Sequence, residues 1–234
     1  MINLFHPYFH EEAISAIAEI LKTRWIGQGP RVDAVEEKFS KKFNIPYSVT
    51  VNSCTSALHL ALCLTGLEEG DEVITTPMTC TATNIPILYS KSKPVFADIQ
   101  EDTMNIDPVD IERKITPKTK AIMVVHWAGY PCDMADIKAI AKEHNLKVIE
   151  DAAHALGAKY QGQAIGSIAD YTCFSFQAIK QLTTVDGGML TMINADDYKK
   201  AKTLRWYGID REFKGDIYWK YQIKEIGYKY HMND

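Results

Sequence analysis

The amino-acid sequence predicts an α/β fold: a mainly parallel, mixed sheet covered by helices in three α/β/α layers. Three observations lead there. Between Tyr47 and Trp206 short apolar runs alternate with segments of helical period, the pattern of parallel strands joined by crossover helices. No internal repeat, low-complexity tract or Ser/Gly linker interrupts that alternation, so one α/β domain is the economical reading. With 234 residues, 46% hydrophobic and 24% charged, the chain can bury one sizeable core.

The residues before Tyr47 read as helical. Residues 11–22 place Ile14, Ile17, Ala18 and Leu21 at helical spacing, and residues 31–43 do the same with Val32, Val35 and Phe39. Trp25-Ile26-Gly27-Gln28-Gly29-Pro30 between them predicts a turn. The strand and helix series then runs 49–51 with 55–64, 72–75 with 82–89, 95–97, and 121–125 with 137–144. It continues through strands 147–149, 171–174 and 189–193, and residues 198–206 read as a helix. Residues 210–234 are rich in aromatics and charges and show no such alternation. The chain therefore divides into residues 1–209, helices plus the sheet domain, and residues 210–234, which read as a domain cut short.

A formal charge of −4 provides no concentrated basic face for nucleic acid or an anionic membrane, and neither partner is expected. A small polar or anionic ligand fits better. Residues 1–7 lack the basic flank and apolar run of a signal peptide, and nowhere do about 18 apolar residues run together, so a cytoplasmic location is expected. Cys54, Cys63, Cys80, Cys132 and Cys173 are odd in number, dispersed and without CxxC spacing. That argues against a disulfide framework and a structural zinc site, and predicts reduced thiols, mainly in the core.

In open α/β sheets ligands bind beyond the carboxyl ends of the strands, and three such positions carry chemistry here. Asn52-Ser53-Cys54-Thr55-Ser56-Ala57-Leu58 are small hydroxyl residues opening a helix, whose free N–H groups and dipole favour a phosphate. An ordinary Ser or Thr N-cap gives the same pattern. Glu150-Asp151-Ala152-Ala153-His154-Ala155 places an acid at a strand end and an imidazole three residues later. Such an acid is commonly a cap or a loop charge. Facing pyridoxal phosphate (PLP), a buried Asp151 carboxylate would instead keep the pyridine nitrogen protonated and the ring an electron sink. His154 would then lie near the ring or bond its phenolic oxygen, or else fill core. The third stretch, residues 174–188, sets Lys180 after the aromatic-rich Phe174-Ser175-Phe176 and before Gly187-Gly188. A lysine amine partly desolvated beside a cationic ring loses its proton and serves as Schiff-base nucleophile and proton shuttle. A solvent-facing lysine is the plain alternative.

Taken together, in order and in spacing across residues 1–234, these motifs and the Trp25-Ile26-Gly27-Gln28-Gly29-Pro30 turn resemble the DegT/DnrJ/EryC1/StrS family. Its members are fold-type I PLP-dependent sugar aminotransferases. The resemblance implies the PLP-binding large domain of that fold and a homodimer with active sites at the interface. It further implies that Ser53, Cys54 and Thr55 cradle the phosphate, with Ser175 completing the cradle. Asp151 would face the pyridine nitrogen, and Lys180 would hold the cofactor as a Schiff base.

Two stretches depart from the family pattern. Where members commonly carry an aromatic residue that stacks on the ring, this chain has Thr79-Cys80-Thr81-Ala82. Cys80 either offers a thinner stacking surface or fills core. Where members place an Asn that contacts the neighbouring subunit's phosphate, the chain reads Gly227-Tyr228-Lys229-Tyr230-His231, and Lys229 can still reach that phosphate as a point charge. Family members run longer, through a dimer-contacting helix and a small C-terminal domain. Residues 210–234 are therefore expected to open that region, and the 234-residue chain to turn over weakly without it. The implied reaction moves an amino group from an amino acid, glutamate, to a nucleotide-linked keto-sugar. Lys180-Gln181-Leu182-Thr183-Thr184 looks like members acting at C4 of a 4-keto-6-deoxyhexose. A keto-cyclitol acceptor, or a truncated non-catalytic module that binds PLP or a partner, are the competing readings.

Overall fold

Runs of β-branched and apolar residues form the central strands, and both faces of those strands are covered. The computed structural model describes residues 6–213 and 221–234. The sequence reading of residues 1–5, and of Tyr218 and Trp219 in the aromatic-rich segment, lies outside them. The helices are α1 (Glu11–Thr23), α2 (Pro30–Phe43), α3 (Cys54–Leu64), α4 (Thr81–Tyr89), α5 (Pro108–Lys114), α6 (Met134–Glu143) and α7 (Ala195–Leu204). The main sheet comprises β1 (Tyr47–Val51), β2 (Glu72–Thr75), β3 (Lys93–Phe96), β4 (Thr119–Val125) and β5 (Lys147–Asp151). After a separate small hairpin, β6 (Lys159–Tyr160) and β7 (Gln163–Ala164), the sheet gains β8 (Tyr171–Ser175) and β9 (Gly188–Met192).

The order across the sheet is β1-β9-β8-β5-β4-β2-β3. β9 runs antiparallel to both of its neighbours, and every other pairing is parallel. This is the mixed, mainly parallel sheet that the sequence predicts. Alternate residues along β4 serve opposite cores: Ile122 and Val124 pack with Phe39 of α2, Ile111 of α5 and Ile137 of α6. Ala121 and Met123 pack with Leu58 of α3, Ile87 of α4 and Leu204 of α7. The period of two along a strand thus builds three layers from one sheet. α1 stands apart, with no buried residue and with Ile14, Ile17 and Leu21 exposed.

Two long-range polar ties hold the layers at the edge of β1. Arg205, 1% exposed at the end of α7, donates from Nη1 to Glu36 Oε1 at 2.5 Å and to Thr50 O at 2.8 Å. Glu36 Oε1 also accepts from the N–H and the hydroxyl of Thr50, each at 2.8 Å. At the start of α2, Asp234 Oδ1 accepts from the N–H groups of Gly29 and Val32 at 2.8 and 3.0 Å. It supplies the side-chain cap that Gly29 cannot.

The sequence reading missed α5 and the β6–β7 hairpin, and it began α6 and α7 late. Among the described residues of 210–234 there is no helix or strand, in keeping with the absence of alternation. The segment instead returns to the domain. Tyr228 N–H donates to Leu204 O at 2.7 Å, and Tyr230 O accepts from Asn52 N–H at 2.8 Å.

Candidate active site

The parallel strands β1, β8, β5 and β2 all end on one edge of the sheet, and the residues following them meet there. After β1, Ser53 is the N-cap of α3, and its hydroxyl accepts from Ser56 N–H at 3.1 Å. Ser56 Oγ in turn donates to Asn52 Oδ1 at 2.7 Å. Ser53 is therefore a cap, as one reading had it. The cap still leaves the N–H groups of Cys54 and Thr55 without an acceptor among the described residues, at the positive end of an 11-residue helix. The cap therefore does not compete with an anion for those two N–H groups.

Gly188 explains the glycine pair after Lys180. It sits in the ladder between Val51 of β1 and Ser175 of β8. A Cβ there would lie 2.7 Å from Cys54 N and Ser53 C and 2.8 Å from Ser53 O, all backbone atoms. Only glycine lets β9 pass under the loop that opens α3. Ser175, 8% exposed, closes the same patch at the end of β8.

Asp151 ends β5 with 5% exposure. Its Oδ1 accepts from Ala153 N–H at 3.1 Å, and its Oδ2 accepts from the Thr83 hydroxyl at 2.6 Å. The sequence reading missed Thr83, although it lies one residue beyond the Thr79-Cys80-Thr81-Ala82 stretch. Lys180, half-buried, follows β8 in a loop held by its own N–H to Gln177 O at 2.9 Å. Gln181 Nε2 of that loop donates to His154 O at 2.5 Å.

The charges of these groups act on one another. Burial first, then Asp151, pushes the Cys54 thiol well above its usual range, against the pull of Lys180, so it stays protonated. His154 is solvent-accessible overall, which rules out the core-filling role. Desolvation on its inner side, then the Lys180 charge, lowers its imidazole against the pull of Asp151. Cys80 is exposed at the N-cap of α4, so the core-filling reading of this thiol is also overturned. The other cysteines divide: Cys132 and Cys173 are buried, and Cys54 and Cys63 half-buried. Lys229 is exposed, and its carbonyl accepts from Asn52 Nδ2 at 3.3 Å, one residue before Ser53.

The donor set fits PLP. Free helix-terminal N–H groups suit a dianionic phosphate, a buried carboxylate suits a protonated pyridine nitrogen, and a half-buried lysine suits the carbonyl carbon. Behind the site, His126 and Glu150 are wholly buried with Nε2 and Oε1 3.3 Å apart. His126 Nδ1 accepts from Cys132 N–H at 3.1 Å, which puts the ring proton on Nε2, facing Glu150.

Comparison with known proteins agrees with this geometry. SpsC, a spore coat polysaccharide biosynthesis protein of Bacillus subtilis, is 43% identical over 99% of this chain and 62% of its own length. The UDP-4-amino-4-deoxy-L-arabinose–oxoglutarate aminotransferase of Shewanella sediminis is 38% identical over 100% of this chain and 61% of its own. The PLP form of a putative sugar aminotransferase from Streptococcus pneumoniae superposes with a TM-score of 0.91 at 34% identity, over 99% of this chain and 62% of that one. The chain thus spans about three fifths of the length of these relatives. Among the described residues, no helix is long and apolar enough to cross a membrane. Residues 7–234 match the DegT/DnrJ/EryC1/StrS aminotransferase family, a family of PLP-dependent enzymes of fold-type I, and the chain belongs to it.

Proposed function

We propose that this chain carries the PLP-binding half-site of a cytoplasmic aminotransferase acting on a nucleotide-linked keto-sugar, with glutamate as amino donor. The observation that carries this reading is the convergence of Ser53, Cys54, Thr55, Asp151, His154, Ser175 and Lys180 on one sheet edge. The name of the Shewanella sediminis relative supports the finer points. It specifies a UDP-linked sugar aminated at C4, and oxoglutarate, the keto acid that glutamate becomes. Amination at C4 is consistent with that name, whose sugar is a pentose, and a 4-keto-6-deoxyhexose as the acceptor rests on Lys180-Gln181-Leu182-Thr183-Thr184 alone.

Each residue then has a task. The Cys54 and Thr55 N–H groups and the hydroxyls of Ser53, Thr55 and Ser175 hold the phosphate at the N-terminus of α3. Asp151 binds the ring nitrogen and keeps its proton there. Bound PLP supplies an electron sink for the substrate. Lys180 Nζ would hold the resting cofactor and, once the donor's amine has displaced it, would be the free amine placed to carry a proton. His154 lines the ring, and Cys80 presents its thiol where the family places an aromatic face. Residues 210–234 begin the subunit contact, and Lys229 reaches the phosphate of a second copy in a homodimer.

The test is direct. Purified protein incubated with PLP should absorb in the visible range, and borohydride should then fix the cofactor to the peptide containing Lys180. Lys180→Ala should lose the fixation while retaining the far-ultraviolet circular dichroism of the parent. Fixation on any other lysine would refute the assignment. Glutamate added to the loaded protein should bleach the visible band and release oxoglutarate. Persistence of the band would favour a binding module over an enzyme.

A further inference from the structure

One side chain on Asp151 comes from helix α4, from which the proposed reaction otherwise draws only the N-cap residue, Cys80. Thr83 lies in the first turn of α4, beyond the carboxyl end of β2, and is 1% exposed. Its hydroxyl reaches Asp151 Oδ2 at 2.6 Å. An ionised carboxylate only accepts, so the one hydroxyl proton of Thr83 is committed to Oδ2. Thr79 Oγ1 lies 2.6 Å from Thr83 Oγ1, and Thr79 must therefore be the donor in that contact. The outcome is a chain of fixed polarity, Thr79 to Thr83 to Asp151. Ala153 N–H occupies the other oxygen, Oδ1, at 3.1 Å. With one donor on each oxygen, the plane of the carboxylate is set before any ligand arrives, and each oxygen keeps a lone pair free.

We infer that Thr83, backed by Thr79, is a positioning residue for the reaction, fixing the orientation in which Asp151 meets the cofactor's ring nitrogen. This rests on the reading of Asp151 as the partner of that nitrogen. Packing alone does not require the hydroxyl. Valine has nearly the same size and would fill the same space, but it would leave Oδ2 without its donor. The carboxylate would then be free to turn about its last bond, held only through Oδ1.

The experiment measures PLP affinity by fluorescence titration of the apoprotein, and the pH midpoint of the bound cofactor's visible absorbance. The parent, Thr83→Val, Thr83→Ser, Thr79→Val and Asp151→Asn are compared, with a thermal melt of each. Thr83→Val should fold but melt below the parent, because a buried carboxylate oxygen loses its donor, and it should bind PLP roughly tenfold more weakly and shift the midpoint. Thr83→Ser should restore both, and Thr79→Val should move both in the same direction by less. If Thr83→Val matches the parent while Asp151→Asn does not, the inference about Thr83 is wrong and the role of Asp151 stands. If Asp151→Asn also matches the parent, the role of Asp151 fails and the inference goes with it. Failure of Thr83→Ser to rescue would mean that shape, not the hydroxyl, matters, which overturns the inference. Should Thr83→Val not fold, an unshifted midpoint in Thr79→Val overturns it instead.

Discussion

Replacing Arg205 with methionine tests how the phosphate cradle is held in place. The guanidinium is nearly sealed, with its side chain 2% exposed and that of Glu36 9% exposed. From Nη1 it makes three contacts, to Glu36 Oε1, Thr50 O and Thr50 Oγ1. Methionine recovers the packing of the aliphatic stem but leaves the Glu36 charge buried without a counterion. Breaking a buried pair from one side costs about 3–5 kcal/mol. Glu36 keeps both donors of Thr50, which places the expected loss toward the lower end. For a domain of this size that loss lowers Tm by roughly 6–20 °C. Glu36→Gln should cost less, about 1.5–3 kcal/mol, because the guanidinium keeps its acceptors and only the charge is lost. The double variant should cost less than the sum of the singles, since neither charge is then stranded. Urea denaturation of the four proteins closes the cycle. Since β1 leads directly into Asn52 and Ser53, Arg205→Met should also weaken PLP binding. Additive losses, or a single-variant loss under about 1 kcal/mol, would mean that the pair behaves as a solvent-screened one and does not brace β1.

Gly188→Ala should destabilise the protein by about 1–3 kcal/mol and weaken PLP binding, because the new methyl meets the Ser53 and Cys54 backbone rather than a movable side chain. A thermal melt and cofactor titration that match the parent would show that the cradle has room to shift. Stability should fall with pH below about 6.5, since burial depresses the imidazole of His59 from 6.5. The sign follows from the neutral form being favoured in the folded state. The unfolded chain takes up the proton near 6.5, so this contribution is full above that value and lost as pH falls through the folded one. His59 is 5% exposed with Nδ1 3.0 Å from the Tyr230 hydroxyl, so His59→Phe should flatten that part of the dependence in urea midpoints measured across the range.

What was legible in the sequence depended on how local its cause is. The strands of the sheet announce themselves because parallel strands buried on both faces need an apolar run, as Ile122-Met123-Val124 in β4 and Val148-Ile149 in β5 provide. Helix α5 escaped because seven residues give too little room for a period to register. Its start was signalled nonetheless by Asp107-Pro108, with the Asp107 side chain accepting from Val109 N–H. The candidate site residues in loops after strands were read from their position beyond the strand ends together with the family resemblance. Thr83, Glu36, Arg205 and Asp234 were not, because each acts on a partner far away in sequence. No spacing rule predicts that Thr83 on α4 faces Asp151 on β5, since that depends on the crossing of a helix over a parallel ladder. The sequence left core filling open for Cys80 and His154 for the same reason, since exposure at a loop or cap depends on the loop's path and not on the residue's polarity.

Strand β9, the one antiparallel strand of the main sheet among the described residues, accounts for where Lys180 stands. A parallel connection from β8 would carry the chain through a helix to the far edge of the sheet before the next strand began. β9 instead returns at once, so residues 176–187 must turn at the carboxyl edge, between the ends of β1 and β5. Phe176 N–H donates to Gly187 O at 2.9 Å and closes the base of that loop. The Thr183 hydroxyl, donating to Phe176 O at 3.1 Å, braces it from inside. Lys180 is thereby confined to the space flanked by the α3 cradle and Asp151. The same return forces the first residue of β9 against the Ser53–Cys54 backbone, which is why that residue is glycine. Strand direction, the glycine and the lysine's position are thus one constraint: lengthening β9 at its start, or replacing Gly188, would displace Lys180 and the phosphate cradle together.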